Sequence, residues 1–186
     1  LARASLDGRL SDAVATLEDV GGLAGGLLRL ALASGEPSYA VIARRLVDSC
    51  RTTGGGIASP FGTDPVLARH GLAVVADLDD GAAPSGAALL ADAAMLLWEL
   101  SGDDAHRRIA EDAIAPALER ALEQLTAFGA ALAIAARLRG AVRQLVVVGD
   151  DPTSAVARLA RTSGPELTAV VSPAQSEEFA ASGFAV

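Results

Sequence analysis

Two segments of the chain carry the same helix–turn–helix signal, and this repeat limits the fold more than any other feature. Ala33-Ser34-Gly35-Glu36-Pro37-Ser38-Tyr39-Ala40-Val41-Ile42-Ala43 aligns with Leu100-Ser101-Gly102-Asp103-Asp104-Ala105-His106-Arg107-Arg108-Ile109-Ala110. Each copy has a Ser-Gly-acid turn, a ring side chain three residues past the acid, and Ile-Ala three residues later. Gly35 and Gly102 can take the left-handed conformation that ends a helix. Glu36 and Asp103 then stand at the positive end of the next helix. Pro37 suits a first turn, where its missing N–H would have no helical partner. Apolar helical runs flank both turns, so each copy reads as a tight αα-hairpin.

The apolar spacing predicts helices over about 16–34, 38–52, 84–101, 103–123 and 126–139. In the first, Leu17, Val20, Leu23, Ala24, Leu27, Leu28, Ala31 and Leu32 recur at helical intervals. The 84–101 segment is apolar on most sides and should be buried, Trp98 included. Aromatics are only 3% of the chain, so the core must be built from Ala, Leu, Val and Ile, which favours close helix–helix packing. Between the hairpins, residues 54–58 and 72–76 read as a glycine-rich loop with short strands.

The pattern changes after Gly140. Gln144-Leu145-Val146-Val147-Val148 reads as a buried strand ending in a Gly149-Asp150 turn. Asp151-Pro152-Thr153 should cap a helix that runs to about Thr162, and Leu167–Val171 is a second strand. Strand, helix, strand in this space is a parallel βαβ unit. The expected fold is therefore mainly α: a partial α/α toroid of helical hairpins over residues 1–140, closed by a small βαβ unit over 141–186.

The charge excludes several functions. A net charge of −8, with no basic stripe, argues against nucleic acid and anionic lipid as partners. No apolar run is long enough to span a membrane. The first residues show neither an initiator Met nor a signal-peptide pattern, so the chain reads as a fragment of a cytoplasmic protein. A lone cysteine, Cys50, cannot form an internal disulfide or a redox pair and is expected in the core. No Cys/His cluster is present, so neither a metal nor a cofactor is expected.

Few residues carry the pattern of a site. His106 fills the repeat position that Tyr39 fills in the first copy, which points to packing. His70, in a loop, is the one histidine with a case for chemistry. Gly149-Asp150-Asp151 lacks the glycine pattern of a phosphate loop and reads as a helix cap. Acids are more promising. Glu18 and Asp19 begin the first helix, where they suit its dipole; as neighbours they point about 100° apart. Asp77, Asp79 and Asp80 precede the helix that opens with Pro84-Ser85-Gly86. Asp80 either caps its own turn or, with Ser85, faces a ligand.

Three stretches together resemble one family: Leu10-Ser11-Asp12-Ala13-Val14-Ala15-Thr16-Leu17-Glu18-Asp19, Asp80-Gly81-Ala82-Ala83-Pro84-Ser85-Gly86, and Arg143-Gln144-Leu145-Val146-Val147-Val148-Gly149-Asp150. Their order and spacing are similar to the C-terminal region of the YyaL-like, spermatogenesis-associated thioredoxin-domain proteins. The resemblance implies an upstream, Cys-containing thioredoxin-like domain in the parent chain. It also implies a helical toroid similar to N-acylglucosamine 2-epimerases and six-hairpin glycosidases. Two positions depart from the family pattern: Val20 stands where an aromatic is usual, and Ala87 where an Asn is usual. Both departures remove groups that would stack on, or hydrogen-bond to, a sugar. Neither His70 nor His106 matches the acid–base histidines of the epimerases.

Two functional readings follow. In one, the toroid's central cavity holds a small polar or carbohydrate-like ligand through Glu18, Asp19, Asp80 and Ser85. In the other, the chain is a non-catalytic helical scaffold that carries or docks another domain.

Overall fold

The computed structural model describes Leu1, Arg3, residues 5–72 and residues 78–186. The strand expected over 72–76 lies outside the described residues except for Leu72, as does Asp77. A short antiparallel hairpin of β1 (Ser5–Leu6) and β2 (Arg9–Leu10) opens the chain. The first helical hairpin is α1 (Leu17–Ser34) and α2 (Pro37–Asp48). A five-residue helix, α3 (Pro65–Arg69), precedes the second hairpin, α4 (Gly86–Ser101) and α5 (Asp104–Ala121). A 3-10 turn (Leu125–Phe128) leads into α6 (Gly129–Arg139).

Both hairpin turns form as the repeat requires. Gly35 (φ 73°) and Gly102 (φ 71°) end α1 and α4 in the left-handed conformation. Their N–H groups donate to Ala31 O (2.9 Å) and Trp98 O (2.7 Å), which closes each helix. The next helices start on the repeated acids. Glu36 accepts from the Ser38 N–H and Asp103 from the Ala105 N–H. α2 stops at Asp48, short of the expected end.

The two hairpins pack side by side through α1 and α4, and the approach is unusually close. A Cβ on Gly21 would sit 2.4 Å from the Leu90 nitrogen, and one on Gly86 would sit 2.6 Å from the Glu18 nitrogen. Residue numbers rise together along the contact, from Glu18 beside Gly86 to Arg29 beside Asp92, so the two helices run parallel. α6 joins the same layer. Asp80 links the starts of α4 and α6, and Arg137 in α6 reaches Asp92 and Glu99 in α4. The exposed residues of α1 (Glu18, Gly22, Leu23, Gly26, Arg29, Leu30, Ala33 and Ser34) form one face of the helix.

The segment after Gly140 forms the expected strand–helix–strand unit: β3 (Gln144–Val148), α7 (Ala155–Ser163) and β4 (Leu167–Val171). The strands are parallel, with Gln144 opposite Leu167 and Val148 opposite Val171. A further helix, α8 (Pro173–Ala181), follows β4; it starts on a Ser172–Gln175 capping box with Pro173 in the first turn. The core runs unbroken from Val20, through the helical layer, to Val171, Phe179, Phe184 and Val186. Phe179 and Phe184 meet edge to face at 6.4 Å, and the Arg44 guanidinium lies 4.0 Å over the Phe184 ring. No helix among the described residues is long and apolar enough to cross a membrane.

Three local expectations need correction. β3 is not a buried strand: Leu145 is 36% and Val148 51% exposed, because in this two-stranded sheet it is β4 that packs against α1. The cap of α7 is Ser154, whose Oγ accepts from the Ala157 N–H. Asp151 instead accepts from the N–H and hydroxyl of Thr153 (2.8 and 2.6 Å), which together hold its carboxyl below the usual range. Trp98 is half-buried, at the margin of the core, with the Arg107 guanidinium 4.9 Å over its ring.

The Gly21 contact yields a direct test. Gly21→Ala must push α4 away from α1 and should destabilise the fold by about 3 kcal/mol, as overpacking against rigid backbone does. Gly26, with open space around it, should behave oppositely. Gly26→Ala should gain roughly 0.5–1 kcal/mol from helix propensity. Urea denaturation of both variants decides; equal effects would contradict this account of the helix contact.

Candidate functional site

The four candidate residues gather at one end of the parallel layer, where α1 and α4 begin. Gly86 abuts the Glu18 backbone, and Ser85 immediately precedes it. Chemically, however, three of the four are already engaged. Asp19 closes a capping box with Thr16: its Oδ2 accepts from the Thr16 N–H (2.8 Å), and its own N–H donates to Thr16 Oγ1 (3.4 Å). Arg3 approaches the same carboxylate at 3.3 Å. Ser85, 5% exposed, caps α4 by accepting from the Ala88 N–H (3.2 Å).

Asp80 is the most fully used. Its Oδ1 accepts from the Ser85 N–H (3.0 Å), and its Oδ2 accepts from the Ala130 N–H at the start of α6 (2.8 Å). Its own N–H donates to Ala127 O (2.7 Å). One carboxylate therefore fixes the start of α4 against the start of α6. A negative charge there also suits the positive ends of both helices. Glu18 differs: it is exposed in the first turn of α1.

A second polar cluster, not read from the sequence, crosses the middle of the layer. Asp92 in α4 bridges two arginines, Arg29 in α1 and Arg137 in α6, at 2.8 Å each. Glu166, just before β4, contacts the same two at 2.6 and 3.3 Å. Arg137 also reaches Glu99 at 3.3 Å. Burial opposes the charge of Arg29, but its hydrogen bonds and charge contacts with Asp92 and Glu166 prevail and raise its pKa. Glu99, with its side chain only 9% exposed, is pushed up by burial, which the Arg137 charge only partly offsets. The sequence did hold a signal. Asp92 and Glu99 are the only charged residues in the otherwise apolar α4, and such charges demand partners.

The histidines divide as expected from their positions. His106 is buried in α5; its Nε2 lies 3.1 Å from Asp48 Oδ1 at the end of α2. It ties one hairpin to the other. His70 is exposed, at the end of α3. Cys50 is buried after α2, with its Sγ donating to Leu46 O (3.5 Å). Among the described residues, no group of three or more His, Cys, Asp or Glu is placed to hold a metal ion.

Comparison of the chain with family models finds no match, and a search of curated proteins finds no significant relative.

Two measurements check this electrostatic description. Burial pushes the Cys50 thiol up to about 11, so it should stay protonated and unreactive in the fold at pH 8. A disulfide reagent should label it only after denaturation; rapid labelling of the native protein would refute its placement. For Glu99 the sign is that of a raised carboxyl. The native state holds the proton more tightly than the unfolded chain does. The resulting stability is present below the ordinary Glu value of about 4.3 and is lost as pH climbs through the raised one. Glu99→Gln should therefore gain stability relative to the parent as pH rises from 4 to 7. A pH-independent difference between the two denaturation curves would contradict the shift.

Proposed function

We propose that this chain is a helical scaffold: the C-terminal wedge of an α/α toroid of the YyaL-like, spermatogenesis-associated thioredoxin-domain type, in which the candidate polar residues hold helices in place. The observation that carries this reading is the Asp80 carboxylate, which accepts one backbone N–H from each of two helix starts. A carboxylate so engaged is a poor partner for sugar hydroxyls, and Asp19 and Ser85 are occupied in the same way. The layer of α1, α4 and α6, with α2 and α5 as the second arms of the hairpins, is the arrangement expected of inner and outer toroid helices. In this reading the chain's partner is the thioredoxin-like domain upstream in the parent protein, and its location is cytoplasmic.

Glu18 supports a second reading, in which a small carbohydrate-like ligand binds at the joined starts of α1 and α4. It is exposed in the first turn of α1, and its side chain is not used in the capping that engages the other three residues.

Two substitutions separate the readings. Asp80→Ala leaves two helix-start N–H groups without their acceptor and should destabilise by about 3 kcal/mol. Glu18→Gln should change stability by less than about 0.5 kcal/mol, as exposed substitutions do. With the scaffold reading, titration of the parent chain with monosaccharides yields no saturable change in intrinsic fluorescence or melting temperature. Saturable binding that Glu18→Gln abolishes would overturn the scaffold reading in favour of the ligand site.

A further inference from the structure

We propose that the outer edge of β3 is an interface at which two copies of this chain join, strand against strand and antiparallel, into one continuous sheet. Within the chain that sheet has only β3 and β4. The Gly149 N–H donates to Val171 O (2.9 Å), so strand alternation turns the backbone groups of Leu145 and Val147 toward β4 as well. Those of Gln144, Val146 and Val148 then face outward, and no described residue pairs with them. Protein sheets blunt such an edge with charge, proline or a bulge. Gln144-Leu145-Val146-Val147-Val148 has none of these.

The charges at its ends select a second copy as the occupant. Arg143 precedes the strand and Asp150 follows it; both are exposed, and neither forms an ion pair with a described residue. Antiparallel pairing about Val146 sets Gln144 opposite Val148 of the partner subunit. It brings Arg143 beside Asp150 of the partner subunit, and the two-fold symmetry repeats that contact. The crossover helix agrees. α7 turns its small residues, Ala157 and Ala160, to the sheet and leaves Val156 and Leu159 each 64% exposed. At about 100° per residue, both lie on the flank away from Arg161, which lines the cleft beside α1, and so on the β3 side. α7 lies across both strands. With strands about 4.8 Å apart, its copy would lie about 10 Å away across the joined edges, the ordinary distance between packed helices. Val156 and Leu159 would then cover one another over the seam.

Sedimentation equilibrium of the full chain tests this. A reversible dimer is expected, with a Kd of about 10–100 μM, in line with a small interface. Amide exchange at Val146 and Val148 should slow as chain concentration rises. Val148→Pro removes an outward N–H without breaking a bond to β4, and should abolish the dimer. Arg143→Glu should weaken it about tenfold, since the symmetry counts each change twice, and adding Asp150→Arg should restore it. This charge swap decides even if circular dichroism shows that the proline variant does not fold. A chain that stays monomeric up to ~1 mM overturns the proposal and leaves the edge to a strand of another protein. So does a dimer that folded Val148→Pro leaves intact, or one that Arg143→Glu does not weaken or the double variant does not restore. Protection of the Val146 and Val148 amides in the dilute monomer overturns it too, since the edge is then covered within the chain.

Discussion

The contact of α1 with α4, backbone against backbone, is the constraint on which the rest depends. Gly21 and Gly86 carry no side chains, so the main chains of the two helices meet directly. Any side chain at either point would displace α4. α4 is the centre of the structure: α5 folds back from it, α6 lies along it through Arg137, and Leu100 near its end accepts a hydrogen bond from the Ala185 N–H of the C-terminal segment. Both hairpins and the α/β segment thus take their positions from one glycine-lined seam.

Polar residues then fix what the seam leaves undetermined. Apolar surfaces are tolerant of sliding, whereas a hydrogen-bonded carboxylate fixes distance and direction. Asp80 sets where α6 begins relative to α4. Asp92, with Arg29 and Arg137, sets the lateral order of the three parallel helices. Glu166 then draws the α/β segment onto that layer. The polar groups at the end of the layer and across its middle are best understood as one positioning system.

Local features were legible in the sequence, and distant pairings were not. The hairpin turns were readable because the signal is confined to a few adjacent residues: glycine, acid, proline. The strand–helix–strand order was readable from the change in periodicity after Gly140. The exposure of β3 was not, since an apolar run looks the same in a central strand and in an outer one. α8 was passed over although Ser172, Pro173 and Gln175 spell a helix start. Ser85 was recognised as the head of a helix, but the second partner of Asp80, Ala130, lies fifty residues further on. The Arg29–Asp92 and Arg29–Glu166 pairs span 63 and 137 residues, and no local pattern reports such a pairing. The apolar α4 showed only that its two charges needed partners.

The glycines of α1 bear on where its helical form comes from. Gly21, Gly22, Gly25 and Gly26 all lie within one eighteen-residue helix. Each is about 1 kcal/mol less favourable there than alanine, and most helical stability in a protein comes from packing rather than propensity. α1 therefore has little helical tendency until α4 is present to receive it. α4, rich in Ala and Leu and free of glycine beyond its first residue, has strong tendency of its own. The helical form of α1 is thus a property of the assembled layer rather than of its own sequence, whereas that of α4 is written largely in its own residues.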